Sequence, residues 1–149
     1  IASLVGSEMC IRDSINYDLI NLDVSKFENE IENLNERGEK VSLNQMSNMA
    51  NINKSLLEAK KSEDLIYFVE DDYLHQKHAI SEMVFTYERL ASQMNKDLIL
   101  CPTDYPYLYA KADITQNFLG HNYHWRKVNE TLCTFLTSKN IIEKYWDQY

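Results

Sequence analysis

Leu65-Ile66-Tyr67-Phe68-Val69-Glu70-Asp71-Asp72-Tyr73 sets five apolar residues directly against three acids. So short a run, rich in β-branched and aromatic side chains, predicts a strand buried on both faces, as in a parallel sheet. The acids then stand at its C-terminal end, the edge where open α/β sheets bind ligands. Three neighbouring carboxylates raise one another's pKa unless a cation is present, and a hard divalent ion is the simplest remedy. Glu70 and Asp72 leave the same face of an extended backbone and can share one ion. A solvated acidic turn with no function is the competing reading of the same residues.

Upstream, the text alternates between strand and helix. Ile15 to Asp23 reads as a strand ending in an acid, and Ser25 with Glu28 forms a capping box for a helix carrying Phe27, Ile31 and Leu34 on one face. Gly38 is placed to end that helix. Lys40 to Leu43 reads as a short strand, and Ser47 or Asn48 as the cap of a helix with Met49, Ile52, Leu56 and Ala59 on its apolar side. Strand, helix, strand, helix, strand builds a parallel sheet by the right-handed crossover rule.

Downstream, Ile80, Val84, Tyr87, Ala91 and Met94 mark a long amphipathic helix, and Asp97 to Cys101 a strand stopped by Pro102. Thr103 to Tyr109 is a tyrosine-rich loop, and Gly120 to Arg126 a polar-aromatic turn ahead of a strand within Val128 to Leu136. Ser138 caps a last helix through Ile141, Ile142, Tyr145 and Trp146.

The 149 residues make one domain or a piece of a larger one, and the net charge of −8 carries no basic stripe to match a phosphate backbone. Nucleic acid is therefore not an expected partner. Cys10, Cys101 and Cys133 form no CxxC pair, which argues against a disulfide framework or a zinc site; Cys101 and Cys133 read as reduced core thiols. No stretch is long and apolar enough to cross a bilayer, so a cytoplasmic protein, or one peripheral at the inner face of the membrane, is expected. Ser3 to Ser14 resembles a peptide that recurs where sequencing-adaptor DNA has been read as coding. Residues 1–14 are accordingly set apart as a non-native segment, and 15–149 as a domain incomplete at both ends.

Taken in this order, the chain resembles the nucleotide-sugar-binding half of a family-2 glycosyltransferase of the GT-A fold. The likeness rests on Leu22-Asp23-Val24-Ser25, on the helix opened by Ser47-Asn48-Met49-Ala50-Asn51, and on Glu70-Asp71-Asp72 standing where the family has its DxD metal motif. It covers roughly Ile15 to Trp146, and departs from the family in having Glu at the first acid position. The resemblance implies an α/β fold, a Rossmann-like, mostly parallel sheet flanked by helices. It implies metal-dependent transfer of a sugar from a nucleotide-diphosphate sugar to a glycan, lipid-linked or small-molecule acceptor, with inversion.

In that likeness Asp72, with Glu70, holds Mn or Mg, while Asp23, Asn48, Glu70 and Asp71 contact the nucleotide sugar. The family's opening strand is absent and its catalytic base falls beyond Tyr149, so this chain alone is expected to be inactive. Asp104 is the other acid in a loop at the same edge and the one candidate base within the chain; a turn-stabilising role competes. His121, His124, Trp125 and Arg126 are candidates for acceptor or phosphate contacts, against a surface or structural role for the two histidines, core packing for Trp125 and an ion pair for Arg126. His75 and His78 share the spacing of a zinc pair but lack a third ligand and read as solvated. A metal-dependent nucleotidyl or phosphoryl transferase is the alternative enzyme, and a non-catalytic α/β interaction module the alternative to an enzyme.

Overall fold

The computed structural model describes residues 20, 22, 38, 40–70, 73–110, 114–130 and 134–148. The expected first strand and helix, Asp23, Asp71, Asp72, Cys10 and Cys133 lie outside the described residues. The chain divides into two compact units, Ile1–Lys61 and Ser62–Tyr149.

In the first unit, helix α1 spans Leu43–Ala59. Its cap is Ser42, earlier than the expected Ser47 or Asn48. Gln45 N–H donates to Ser42 Oγ at 3.3 Å, and Ser42 N–H donates back to Gln45 Oε1 at 3.0 Å, a complete capping box with glutamine in the third position. The strand expected over Lys40 to Leu43 is not formed: Lys40 is a bridge residue, Val41 and Ser42 are in no regular element, and Leu43 already opens the helix. Met46, Ala50, Leu56 and Ala59 are buried, whereas Met49 and Ile52 are exposed. Glu58 accepts from Lys54 at 2.8 Å and from Lys61 at 2.7 Å, a helical charge pair at each spacing.

The second unit holds a three-stranded sheet of β1 (Leu65–Phe68), β5 (Phe135–Ser138) and β2 (Ile99–Leu100), in the order β1-β5-β2. β5 is antiparallel to both neighbours, pairing Phe68 with Phe135 and Leu65 with Ser138 on one side, and Leu100 with Leu136 on the other. Every strand pair among the described residues is antiparallel, so the expected parallel, Rossmann-like sheet is wrong. The crossover rule presumes that successive strands become neighbours. Here a strand from near the end of the chain inserts between two earlier ones and takes the hydrogen bonds they would have exchanged. β1 is correspondingly an outer, half-buried strand rather than one covered on both faces.

Between β1 and β2 runs α2, Ala79–Met94. Its buried residues are Glu82, Met83, Thr86, Tyr87 and Leu90; the expected stripe shares Tyr87 with these and sets Val84 and Ala91 against the core, whereas its Ile80 and Met94 are exposed. Asn95 ends it in the left-handed region at φ 49°, where asparagine's short polar side chain lowers the steric cost. Met83, Tyr87, Leu100 and Leu136 form the core, with Tyr67, Val84 and Trp125 packed against it. Thr137, fully buried on β5, donates its hydroxyl to Leu98 O at 2.9 Å and so ties β5 to the segment entering β2.

A separate hairpin pairs β3 (Asn117–Leu119) with β4 (His124–Arg126) across the Gly120–Tyr123 loop, so the expected polar-aromatic turn is a hairpin tip. A 3-10 helix over Pro106–Ala110 gives the tyrosine-rich segment its order, with proline in the first position. Helix α3, Lys139–Lys144, is capped by Ser138 as expected, and a 3-10 helix over Trp146–Gln148 follows. Among the described residues no helix is long and apolar enough to cross a membrane.

Candidate functional site

Because β1 and β2 both oppose β5, they run in the same sense, and their C-terminal ends emerge beside the start of β5. Glu70 marks that edge: its N–H donates to Thr134 Oγ1 at 3.1 Å. The chain then turns, Tyr73 N–H donating to Glu70 O at 3.4 Å, and comes back so that His75 Nε2 hydrogen-bonds the Tyr67 hydroxyl with the two rings edge to face. Burial raises the pKa of that Tyr67 hydroxyl. His75 is thus anchored to β1 rather than simply solvated. His78 occupies the cap position of α2 but makes no side-chain cap bond.

Next to this edge lies a cleft of about 780 Å³ in the second unit, lined by the Tyr73–His78 return, the Leu98–Asp104 segment and the hairpin from Tyr123 to Val128. Asp104, His124, Trp125 and Arg126, all singled out from the sequence, meet here. Arg126 grips Asp104 with two parallel bonds, Nε to Oδ2 at 3.1 Å and Nη2 to Oδ1 at 2.5 Å, joining the hairpin to the loop after β2. Cys101, half-buried on the same wall, is not in a disulfide.

His121 is not in the lining; its ring packs on Phe85 of α2 at 4.8 Å between centroids. Asn48 is an exposed residue of α1 in the first unit. Glu70 is exposed at the strand end.

The residue that organises the cleft wall is one that no sequence pattern marks. Glu82, 5% exposed, accepts the main-chain N–H of His121 at 3.1 Å, of Asn122 at 2.8 Å and of Tyr123 at 3.3 Å. It also accepts the Asn122 side-chain amide at 3.1 Å, the Trp125 indole N–H at 3.2 Å and the Thr86 hydroxyl at 3.1 Å. A hairpin tip has main-chain donors with no strand partner, and one carboxylate satisfies three in succession. Burial alone would raise the pKa of this carboxyl, but the bonds from Trp125, Asn122, Thr86 and Tyr123 outweigh it and hold the group below the usual range.

Gly120 sits beneath this clasp. A Cβ there would stand 2.5 Å from Trp125 Nε1 and 2.6 Å from Thr86 Oγ1, so only glycine lets the loop approach α2 this closely. The Gly120 carbonyl in turn accepts from Arg89 Nη1 at 3.1 Å. The signal available in the sequence was the Gly120-His121-Asn122-Tyr123 tip itself, whose run of N–H groups requires an acceptor.

Among the described residues no group of three His, Cys, Asp or Glu side chains is placed to hold a metal ion. No protein-family model, curated protein or solved structure matches the chain.

Proposed function

We propose that the chain binds a nucleotide-diphosphate sugar and serves the transfer of its sugar to an acceptor hydroxyl. One observation carries this reading: β1 and β2, running in one sense on either side of β5, deliver Glu70 and the Cys101–Asp104 segment to the same edge, beside a cleft of about 780 Å³. An acid at one strand end and a roomy, partly apolar cleft beside it suit a ligand whose charged diphosphate joins a nucleoside to a sugar ring.

In this reading Asp72 and Glu70 would hold Mn or Mg, which when bound would supply positive charge for a diphosphate leaving group. The rest falls to side chains of the cleft. Trp125, fixed by its bond to Glu82, offers a rigid aromatic wall to a ring. Arg126 is held in place by Asp104 and presents a cation that needs no reorganisation. With Arg126 on both of its carboxylate oxygens, Asp104 accepts an acceptor proton only if that pair opens.

A melting scan with UDP, GDP and UTP, each with and without Mn, tests the reading. A ligand at a hundred times its Kd adds about 2.7 kcal/mol of stability. A rise with UDP or GDP that needs Mn supports sugar transfer. An equal or larger rise with UTP favours nucleotidyl transfer, and no rise with any of them favours an interaction module.

A further inference from the structure

Ala79 and Met94, the two ends of α2, both line the cleft. By the helical rise they stand about 22 Å apart, so the cleft is long. Spread over that length, about 780 Å³ leaves a mean cross-section on the order of 35 Å², the girth of one extended chain. Its two ends differ in chemistry. At the start of α2 the lining holds His75, Gln76 and His78, and the bond from Trp125 to Glu82 brings His124 and Arg126 to the same end. Glu82 stays charged among its donors, and the Arg126–Asp104 pair is neutral as a whole. At the other end the lining is Leu90, Met94, Leu98 and Ile99, with Met94 and Ile99 exposed, and Lys96 is the one charged lining residue between Leu90 and Leu100.

We propose that this cleft binds a single-chain amphiphile, its uncharged polyhydroxyl head at the His78 and Trp125 end and its unbranched hydrocarbon tail towards Met94 and Ile99. Hydroxyls both donate and accept, which suits an end lined by histidine, glutamine and a closed ion pair, whereas an anionic head would meet the Glu82 carboxylate. The tail takes apolar surface of Met94 and Ile99 out of water, and the Lys96 stem can lie along it with the ammonium in solvent. Neither nucleotide nor metal enters, so the proposal does not rest on the sugar-transfer reading; where both hold, the amphiphile is the acceptor.

Hexyl, octyl and decyl glucoside, each titrated below its micelle-forming concentration into the 149-residue chain in EDTA, test it, with decanoate beside them. Affinity is expected to rise about threefold for each added methylene, with decanoate weaker than decyl glucoside. Met94→Lys, which suits a helix C-terminus, and Ile99→Thr, which keeps the branched shape, both fall at exposed positions. Each is expected to flatten the gain from octyl to decyl, because the longest tail is the one that reaches them, and to leave hexyl glucoside within about twofold. No binding of any glucoside, equal affinity at all three lengths, decanoate as tight as decyl glucoside, or a length gain untouched by both substitutions overturns the proposal. Binding of UDP with Mn is measured apart from these titrations, so failure of one proposal is distinguishable from failure of the other.

Discussion

Glu82 holds Asn122 at two points, through its main-chain N–H at 2.8 Å and its side-chain amide at 3.1 Å, both on Oε2. Forty residues apart in sequence, the two lock the β3–β4 tip onto α2. With Oε1 taken by His121, Tyr123, Trp125 and Thr86, the carboxylate faces donors on every side.

Glu82→Gln is expected to cost roughly 2–4 kcal/mol, since an amide turns two donors towards donors and removes the charge that strengthens each bond. Urea unfolding followed by tryptophan fluorescence measures it. A loss under about 0.5 kcal/mol, the range of ordinary surface changes, would mean that the clasp contributes nothing.

The same carboxylate sets an acid limit on stability. Its folded pKa lies below its unfolded one, so its contribution is complete above the unfolded value of about 4.3 and disappears as pH falls through the lower folded value. Asp97 acts in the same direction, lowered first by its bond from Ser138 and then, against some desolvation, by Tyr87, Asn140 and Lys144. Stability measured from pH 7 downward is expected to drop below about pH 4.3, and Glu82→Gln to flatten that drop. An unchanged pH profile in the variant would contradict the assignment.

Gly120→Ala forces a Cβ against Trp125 and Thr86, for a loss of about 2 kcal/mol or more by overpacking. Gly38 has a positive φ of 73° but nothing within 4 Å of where an added methyl would stand, so Gly38→Ala meets backbone strain alone, roughly 1 kcal/mol. Comparing the two by chemical denaturation separates crowding from backbone strain; equal losses would contradict it.

Thr137→Val leaves Leu98 O without its 2.9 Å donor in the buried seam between β5 and β2, and is expected to cost about 1 kcal/mol. Arg126→Ala breaks a pair whose Asp104 partner is 43% exposed in its side chain, and is expected to cost less, about 0.5 kcal/mol. The order of the two losses is the check: a larger loss at Arg126 would make the Asp104 pair a structural brace rather than part of an open cleft.

Local chemistry was legible in the sequence and strand partnership was not. β1, α2 and the Ser138 cap follow from side chains acting within a few residues, and the structure has them at Leu65–Phe68, Ala79–Met94 and Ser138. Insertion of β5 between β1 and β2 is a pairing of Leu136 with Tyr67 and Leu100, set by tertiary packing that no local period encodes. The face of α2 differs in part from expectation for a related reason. Apolar spacing selects Ile80, Val84, Tyr87, Ala91 and Met94; of these Tyr87 is buried and Val84 and Ala91 pack against the core, while Ile80 and Met94 are exposed and the buried stripe adds Glu82 and Thr86, polar residues whose partners include main-chain groups about forty residues away. Of the expected site residues, Asp104, His124, Trp125 and Arg126 line one cleft while Asn48, Glu70 and His121 do not, and Glu82, which holds the cleft wall, reads in the sequence as one more surface charge.

Calorimetric titration of UDP and then GDP into the chain, with Mn, with EDTA and with Asp72→Asn, tests the nucleotide-sugar reading most directly. It predicts that one of the two binds with Mn, and that binding disappears in EDTA and weakens at least tenfold, about 1.4 kcal/mol, in Asp72→Asn. No heat from either nucleotide, or equal binding in EDTA, would contradict it.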